Sequence, residues 1–230
     1  MIFDIITIFP EFFNSFLKES IIFRAQKKGL IKINIHNLRD YSFDRHKIVD
    51  DRPFGGGRGM IMKIEPIYKA VKKIKRAKRL SSKKRKVILF TPRGKKFNQK
   101  IAYSLSQLNQ LIFICGRYEG VDERVAKYIA DVNLSIGDYI LMGGELPAMV
   151  LIETISRLIP DVVGKSQLLL KERIVKLKKK GGFIEYPQYT RPEVFKLQKR
   201  MRWKVPKILL SGNHKKIEEW RKKHSKIIAN

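Results

Sequence analysis

The chain carries a single cysteine, Cys115, in 230 residues. An intramolecular disulfide is therefore excluded, and the sequence suits a reducing compartment. The apolar neighbours Leu111 to Ile114 make Cys115 a buried strand residue rather than a nucleophile. Histidine is also scarce, with four in the chain, scattered. That excludes a metal site built on clustered His and Cys. No apolar run approaches the roughly 18 residues of a membrane span. The N-terminal MIFDIITIFPEFF does not read as a signal peptide: Asp4 interrupts its apolar run, Pro10 ends it and no basic segment precedes it. A cytoplasmic location is expected. Acidic residues are few as well, 21 against 50 Lys and Arg, which leaves a formal charge of +29. Such a surplus points to a polyanionic partner, nucleic acid before an anionic membrane. Lysine enrichment from an AT-rich genome is the competing source of the same surplus. The 43% of hydrophobic residues is globular and enough for a core without staples.

Short apolar runs at Ile2–Ile8, Ile31–Ile35, Lys86–Phe90, Leu111–Cys115 and Tyr139–Leu141 read as buried strands. Between them lie helical patterns over 11–18, 21–28, 67–77, 100–108, 122–129 and 146–159, with Asn98 as a capping residue. Strand–helix alternation predicts an α/β fold with a mostly parallel sheet and helices on both faces, so that ligands sit at loops leaving the carboxyl ends of strands. The pattern changes near Pro160. Residues 161–180 hold the run Lys176 to Lys180 and read as a basic linker or lid. After Tyr189 a small helical appendage is expected, with one helix opened by Pro192 and another, 214–224, capped by Asn213. The lysine-rich stretches 72–79 and 83–86 read either as solvated surface or as an RNA-facing patch.

Glycine marks four loops. Asp50 to Met60 holds Gly55, Gly56, Gly57 and Gly59, which permit positive φ and close approach of backbone to a ligand. It is neither a Walker loop nor a dinucleotide fingerprint. Thr91-Pro92-Arg93-Gly94, Gly116-Arg117-Tyr118-Glu119-Gly120 and Ser135 to Pro147 each set glycine where a strand meets a turn. Together they suit a single ligand with an adenine edge and a ribose, held by backbone groups.

The segments IFPEFF, DRHKIVDDRPFGGGRGM, CGRYEGVDERV, SIGDYILMGGELPAMVLIETISRLIP, YPQYTRPEV and LLSGNHKKIEEWR occur in family order along nearly the whole chain. On them the sequence resembles the bacterial tRNA (guanine-N1)-methyltransferases, the TrmD family of the SPOUT superfamily. The resemblance implies a SPOUT-type parallel sheet with a deep trefoil knot. It divides the chain into a knotted S-adenosylmethionine-binding domain over 1–160, a flexible basic linker over 161–189 and a small helical tRNA-binding domain over 190–230, shorter than the family norm. It implies a homodimer with active sites at the subunit interface, tRNA as substrate, and methylation at N1 of the guanosine just 3′ of the anticodon. Magnesium is a further candidate cofactor.

Residue by residue, the cofactor loops carry over onto Thr91, Pro92, Gly94, Gly116, Tyr118, Glu119, Gly120, Ser135, Ile136, Gly137, Asp138, Tyr139, Ile140, Leu141, Gly143, Gly144 and Pro147. The arginine that stabilises charge on guanine O6 matches Arg157. The linker aspartate that takes the N1 proton has no identical counterpart. Counting forward from Val163-Gly164 places Glu172 there, as the base or as an ordinary linker glutamate. Candidate tRNA-contacting residues are His46, read either as a backbone contact or as an ordinary surface histidine, Asp50, Arg52, Gly57, Arg58, Gly59, Glu185, which matches a second acidic position of the family's linker, and Lys215 and Lys222, whose charges suit phosphates. Position 58 is Arg where the family usually has Pro. Two other readings stay open: an RNA-binding protein of the same fold without chemistry, and a knotted ribosomal RNA methyltransferase.

Overall fold

The computed structural model describes residues 1–77, 80–163, 182–198 and 201–228. They fall into two compact units, Met1–Leu170 and Lys171–Asn230. The first is built on five strands: β1 (Ile2–Thr7), β2 (Lys32–Asn37), β5 (Arg85–Lys96), β6 (Gln110–Ile114) and β7 (Val132–Ser135). They pair in the order β2-β1-β6-β5-β7, every pair parallel. Parallel strands buried on both faces read as continuous apolar runs, and β6 is buried at every position.

One face of the sheet carries Phe3, Ile5, Phe113 and Leu134. These pack against Phe13, Ile22 and Ala25 near α1 (Asn14–Lys18) and α2 (Ser20–Lys27), Ala102 and Leu105 of α4 (Gln99–Ser106), and Leu151, Ile152 and Ile155 of α5 (Glu145–Ser156). The other face carries Ile6, Val87, Leu89, Ile112 and Ile114 against Ile67, Ala70, Val71 and Ile74 of α3 (Ile64–Ala77). A short ribbon, β3 (Asp50–Asp51) with β4 (Ile61–Met62), leads into α3. The Asn98 side chain caps α4, accepting from the Ile101 N–H at 3.0 Å.

The second unit holds an antiparallel pair of β8 (Gly182–Ile184) and β11 (Lys226–Ile228), a second pair of β9 (Val194–Gln198) and β10 (Met201–Lys204), and two helices, α6 (Lys207–Leu210) and α7 (His214–His224). Asn213 caps α7, accepting from the Lys216 N–H at 3.1 Å. Trp220 packs among Tyr186, Tyr189 and His224.

Four sequence expectations change. Pro192 precedes strand β9 rather than a helix, so the appendage is not purely helical. Tyr139–Leu141 is not a strand: glycines at 137, 143 and 144 flank it, and Ile140 and Met142 are exposed. The fifth strand is instead the less apolar Val132–Ser135. The 122–129 pattern yields only a single π turn, Val125–Ile129. Finally, Thr91-Pro92-Arg93-Gly94 does not follow β5 but lies inside it. Leu134 of β7 pairs with Phe90 and again with Lys95, and residues 91–94 bulge between. The Lys176–Lys180 run and Glu172 lie outside the described residues.

Among the apolar side chains of β1 sits a buried carboxylate, Asp4. Its oxygens accept from Asn34 Nδ2 at 2.8 Å and Gln110 Nε2 at 2.7 Å, and meet His36 Nε2 at 3.0 Å. Burial alone would raise its pKa, but the three side-chain hydrogen bonds and the His36 charge outweigh burial and lower it. A carboxyl with a lowered folded pKa adds stability above its unfolded pKa of ~3.9 and loses it as pH falls through the folded value. Asp4→Asn is expected to cost about 1–3 kcal/mol at neutral pH. The gap between the urea midpoints of wild type and variant should narrow from pH 7 to pH 3.

Candidate active site

The middle of β5 and the carboxyl ends of β6 and β7 meet at a cavity of about 480 Å³. Backbone hydrogen bonds hold its walls together. The Gly144 N–H donates to the Gly116 carbonyl at 3.0 Å, and the Phe97 N–H to the Ser135 carbonyl at 2.7 Å. Glycine is required at two of the crossings. A Cβ on Gly144 would stand 2.6 Å from the Cys115 Cα, and one on Gly94 would stand 2.5 Å from the Leu134 backbone nitrogen. Both neighbours are main chain and cannot turn aside.

The structure brings most of the sequence-selected loop residues to this one cavity. Thr91, Pro92, Gly116, Tyr118, Glu119, Gly120, Ser135, Ile136, Gly137, Tyr139, Ile140, Leu141, Gly143, Gly144 and Pro147 line it. Gly94 and Asp138 do not. Gly94 is packed on the Leu134 backbone, and Asp138 is ion-paired with Lys96 on the surface. Arg93 and Glu123 also line the cavity, joined at 2.8 Å.

The glycine-rich 55–59 loop is tied to the same region. The Met62 N–H donates to the Gly120 carbonyl at 3.0 Å and the Glu119 N–H to the Met60 carbonyl at 3.1 Å. Gly55, Gly56, Gly57 and Gly59 all have positive φ, and the Glu119 side chain occupies the space a Cβ on Gly59 would need. Arg52, Arg58 and His46 are exposed, while Asp50 is half-buried in β3. Arg157 ends α5, exposed, and is not part of the cavity wall of its own chain. In the second unit Lys215 and Lys222 are exposed on α7, and Glu185 is half-buried. Among the described residues no group of three His, Cys, Asp or Glu side chains is placed to hold a metal ion.

A model of the tRNA (Guanine-1)-methyltransferase TrmD family matches residues 1–229. The chain belongs to this family. Relatives carrying the name tRNA (guanine-N(1)-)-methyltransferase include that of Dictyoglomus turgidum (strain DSM 6724 / Z-1310), 51% identical over 222 residues, which cover 96% of this chain and 84% of that protein. That of Geotalea uraniireducens (strain Rf4) is 47% identical over 225 residues, covering 98% and 85%. That of Clostridioides difficile (strain 630) is 48% identical over 225 residues, covering 98% and 92%.

At the edge of this cavity stands a buried polar pair that the sequence does not announce. Glu145, the first residue of α5, is 1% exposed. Its Oε2 accepts from Arg117 Nε at 2.8 Å and its Oε1 from the Thr7 hydroxyl at 2.7 Å. The Arg117 guanidinium also lies 4.6 Å from the Phe9 ring centroid. The signal was present in the sequence, since Arg117 and Glu145 sit inside two of the quoted motifs, but nothing local pairs residues 28 apart. The pair locks the loop after β6 to the start of α5. Burial pushes the Cys115 thiol beneath it well above its usual pKa, with the Glu145 charge adding to the rise and Arg117 opposing it.

Glu145→Ala would strand the Arg117 charge, whose side chain is only 17% exposed. The expected loss of unfolding free energy is about 3–5 kcal/mol, read from urea unfolding. The same loss should follow from Arg117→Ala. In the double variant it should fall well short of the sum, because one interaction is being removed twice.

Proposed function

We propose that the chain transfers the methyl group of S-adenosylmethionine to N1 of the guanosine immediately 3′ of the anticodon, position 37, in tRNA. The observation that carries the reading is family membership over residues 1–229, together with the convergence of the family's cofactor loops on one cavity. The cofactor suits the cavity. Its volume of about 480 Å³ lies within the range of small-molecule sites. Glu119 on the wall offers a carboxylate for a ligand that carries a sulfonium and an ammonium. At Gly116 a Cβ would meet no atom closer than Val121 Cγ1 at 3.4 Å, so that glycine leaves room for a ligand, not for packing. When bound, the cofactor supplies an electrophilic methyl group.

The chain's own residues then face two tasks. Guanine N1 carries a proton, and its lone pair is free only after a base accepts that proton. Glu172 is the base in this reading, one methylene longer than the aspartate it replaces. Its neighbours Lys171 and Arg173 favour the ionised form that acceptance requires. Negative charge then grows on O6, and Arg157 is the cation that stabilises it. Because Arg157 lies off the cavity of its own chain, the reading places the active site between two copies. Apolar side chains left uncovered near the cavity support that dimer: Phe9, Phe12, Leu146 and Val150 are between 42% and 48% exposed, and Ile140 and Met142 about 90%. The double pairing of Leu134 and the close passage of Gly94 over it support a knotted path at β5 and β7. Arg52, His46, Asp50 and the Gly57-Arg58-Gly59 turn would meet the anticodon loop. Lys215 and Lys222, and Glu185 at the end of the linker, belong to the 190–230 side of the substrate.

Methyl transfer to unmodified tRNA with guanosine or another base at position 37 tests the activity. Guanosine alone should be methylated. A wild type that transfers nothing to a competent tRNA would leave the RNA-binding reading in place. Gly116→Val should abolish the rise in melting temperature that S-adenosylmethionine gives the wild type. Glu172→Gln should lower the single-turnover rate about 10²–10⁴-fold with cofactor and tRNA binding nearly intact. An unchanged rate would put the base elsewhere, with Glu185 next in line.

A further inference from the structure

Helix α3 presents a surface that the pocket does not use. Its apolar stripe is buried, and the rest of its last three turns carries Lys69, Lys72, Lys73, Lys75 and Arg76. These cations stand three and four residues apart, the spacing at which like charges on a helix repel. Among the described residues none of the five has an ion-pair partner.

Aromatic rings are interleaved with them. The Lys69 Nζ lies 2.8 Å from the ring centroid of Phe43, Lys72 Nζ 5.3 Å from that of Tyr68 and Lys73 Nζ 5.4 Å from that of Tyr41. Phe43 follows the 3-10 turn Leu38–Tyr41, which packs on α3, and is 89% exposed. A merely solvated lysine face explains the cations but not a phenyl ring held in water among them. Cations for phosphates and a ring face for an unstacked base are the two components of single-stranded RNA recognition.

The position of the stripe fits as well. The helix leaves β4 where Met62 is bonded to Gly120 at the cavity rim. It ends where Arg85 Nη1 donates to the Lys75 carbonyl at 2.9 Å, at the opposite end of the sheet. From Lys69 to Arg76 the axis rises roughly 10 Å.

We infer that the exposed face of α3, with Phe43, is a second tRNA-contacting surface. It binds the sugar–phosphate backbone away from the methylated base and stacks one unpaired base on Phe43. The inference rests on the tRNA-methyltransferase reading above. Affinity for unmodified tRNA, measured across a salt series, tests it on four proteins: wild type, Lys69→Gln/Lys72→Gln/Lys73→Gln, Phe43→Ala, and the charge-matched control Lys27→Gln/Lys28→Gln/Lys32→Gln. The α3 triple variant should bind about tenfold or more weaker, and its log–log salt slope should fall by about two, since each lost phosphate contact removes ~0.7–0.9. Phe43→Ala should bind several-fold weaker with the slope unchanged, because stacking releases no counterions. The control should stay close to wild type.

Equal losses in the two triple variants would reduce the patch to bulk charge and overturn the inference, as would unaltered binding by Phe43→Ala. Retention on phosphatidylglycerol vesicles that depends on the α3 lysines, with tRNA affinity unchanged, would overturn it in favour of a lipid surface. A wild type that neither binds nor methylates tRNA removes the underlying reading and this one with it. A wild type that methylates, beside patch variants that bind as tightly, removes this one alone.

Discussion

The buried Glu145 carboxylate joins three distant parts of the chain. Thr7 comes from the end of β1, Arg117 from the loop after β6, and the carboxylate itself from the first turn of α5, where a negative charge also suits the helix dipole. A buried charge is tolerable only when its partners are fixed, so the pair dictates where α5 starts. That in turn sets Gly144 on Cys115 and brings the 136–144 loop back over the cavity. The walls contributed by β5, β6 and β7 are thus tied to one another through side chains and main chain.

The surface obeys a different economy. In the interior the buried Asp4 carboxylate is met by three side chains, Asn34, His36 and Gln110. Outside, cations outnumber acids, and among the described residues many have no ion-pair partner. On α3 this arrangement weakens the isolated chain, since neighbouring lysines repel, and it strengthens any complex in which phosphates replace the counterions. Stability and binding pull in opposite directions on the same helix, and the buried stripe of Ile67, Ala70, Val71 and Ile74 allows the helix to bear the difference.

Much of the fold was legible in the sequence because its signals were local. Four of the five strands announce themselves as short apolar runs, and Asn98 and Asn213 mark helix starts that the structure places at the same residues. Val132–Ser135 escaped because its apolar content is low and its burial comes from neighbours on β5. Tyr139–Leu141 misled for the converse reason, an apolar run that serves a surface. The loop residues of the site were legible through glycine, which marks where backbone must approach backbone. The Arg117–Glu145 pair was not, since a contact across 28 residues leaves no periodicity. The bulge at residues 91–94 was hidden in the same way: Leu134 must be in place before Phe90 and Lys95 can both pair with it.

Cys115 gives the molecule a built-in clock. The thiol lies fully buried directly beneath Gly144, with its ionisation suppressed. Alkylation demands a thiolate and access, and the closed fold offers neither at Cys115. The rate at which a small reagent labels this one sulfur therefore counts excursions of the cavity floor, as amide exchange counts the opening of a backbone segment. A ligand in the cavity should slow the count. Because the chain holds no second thiol, every labelled molecule records an opening that exposes Cys115, local or global.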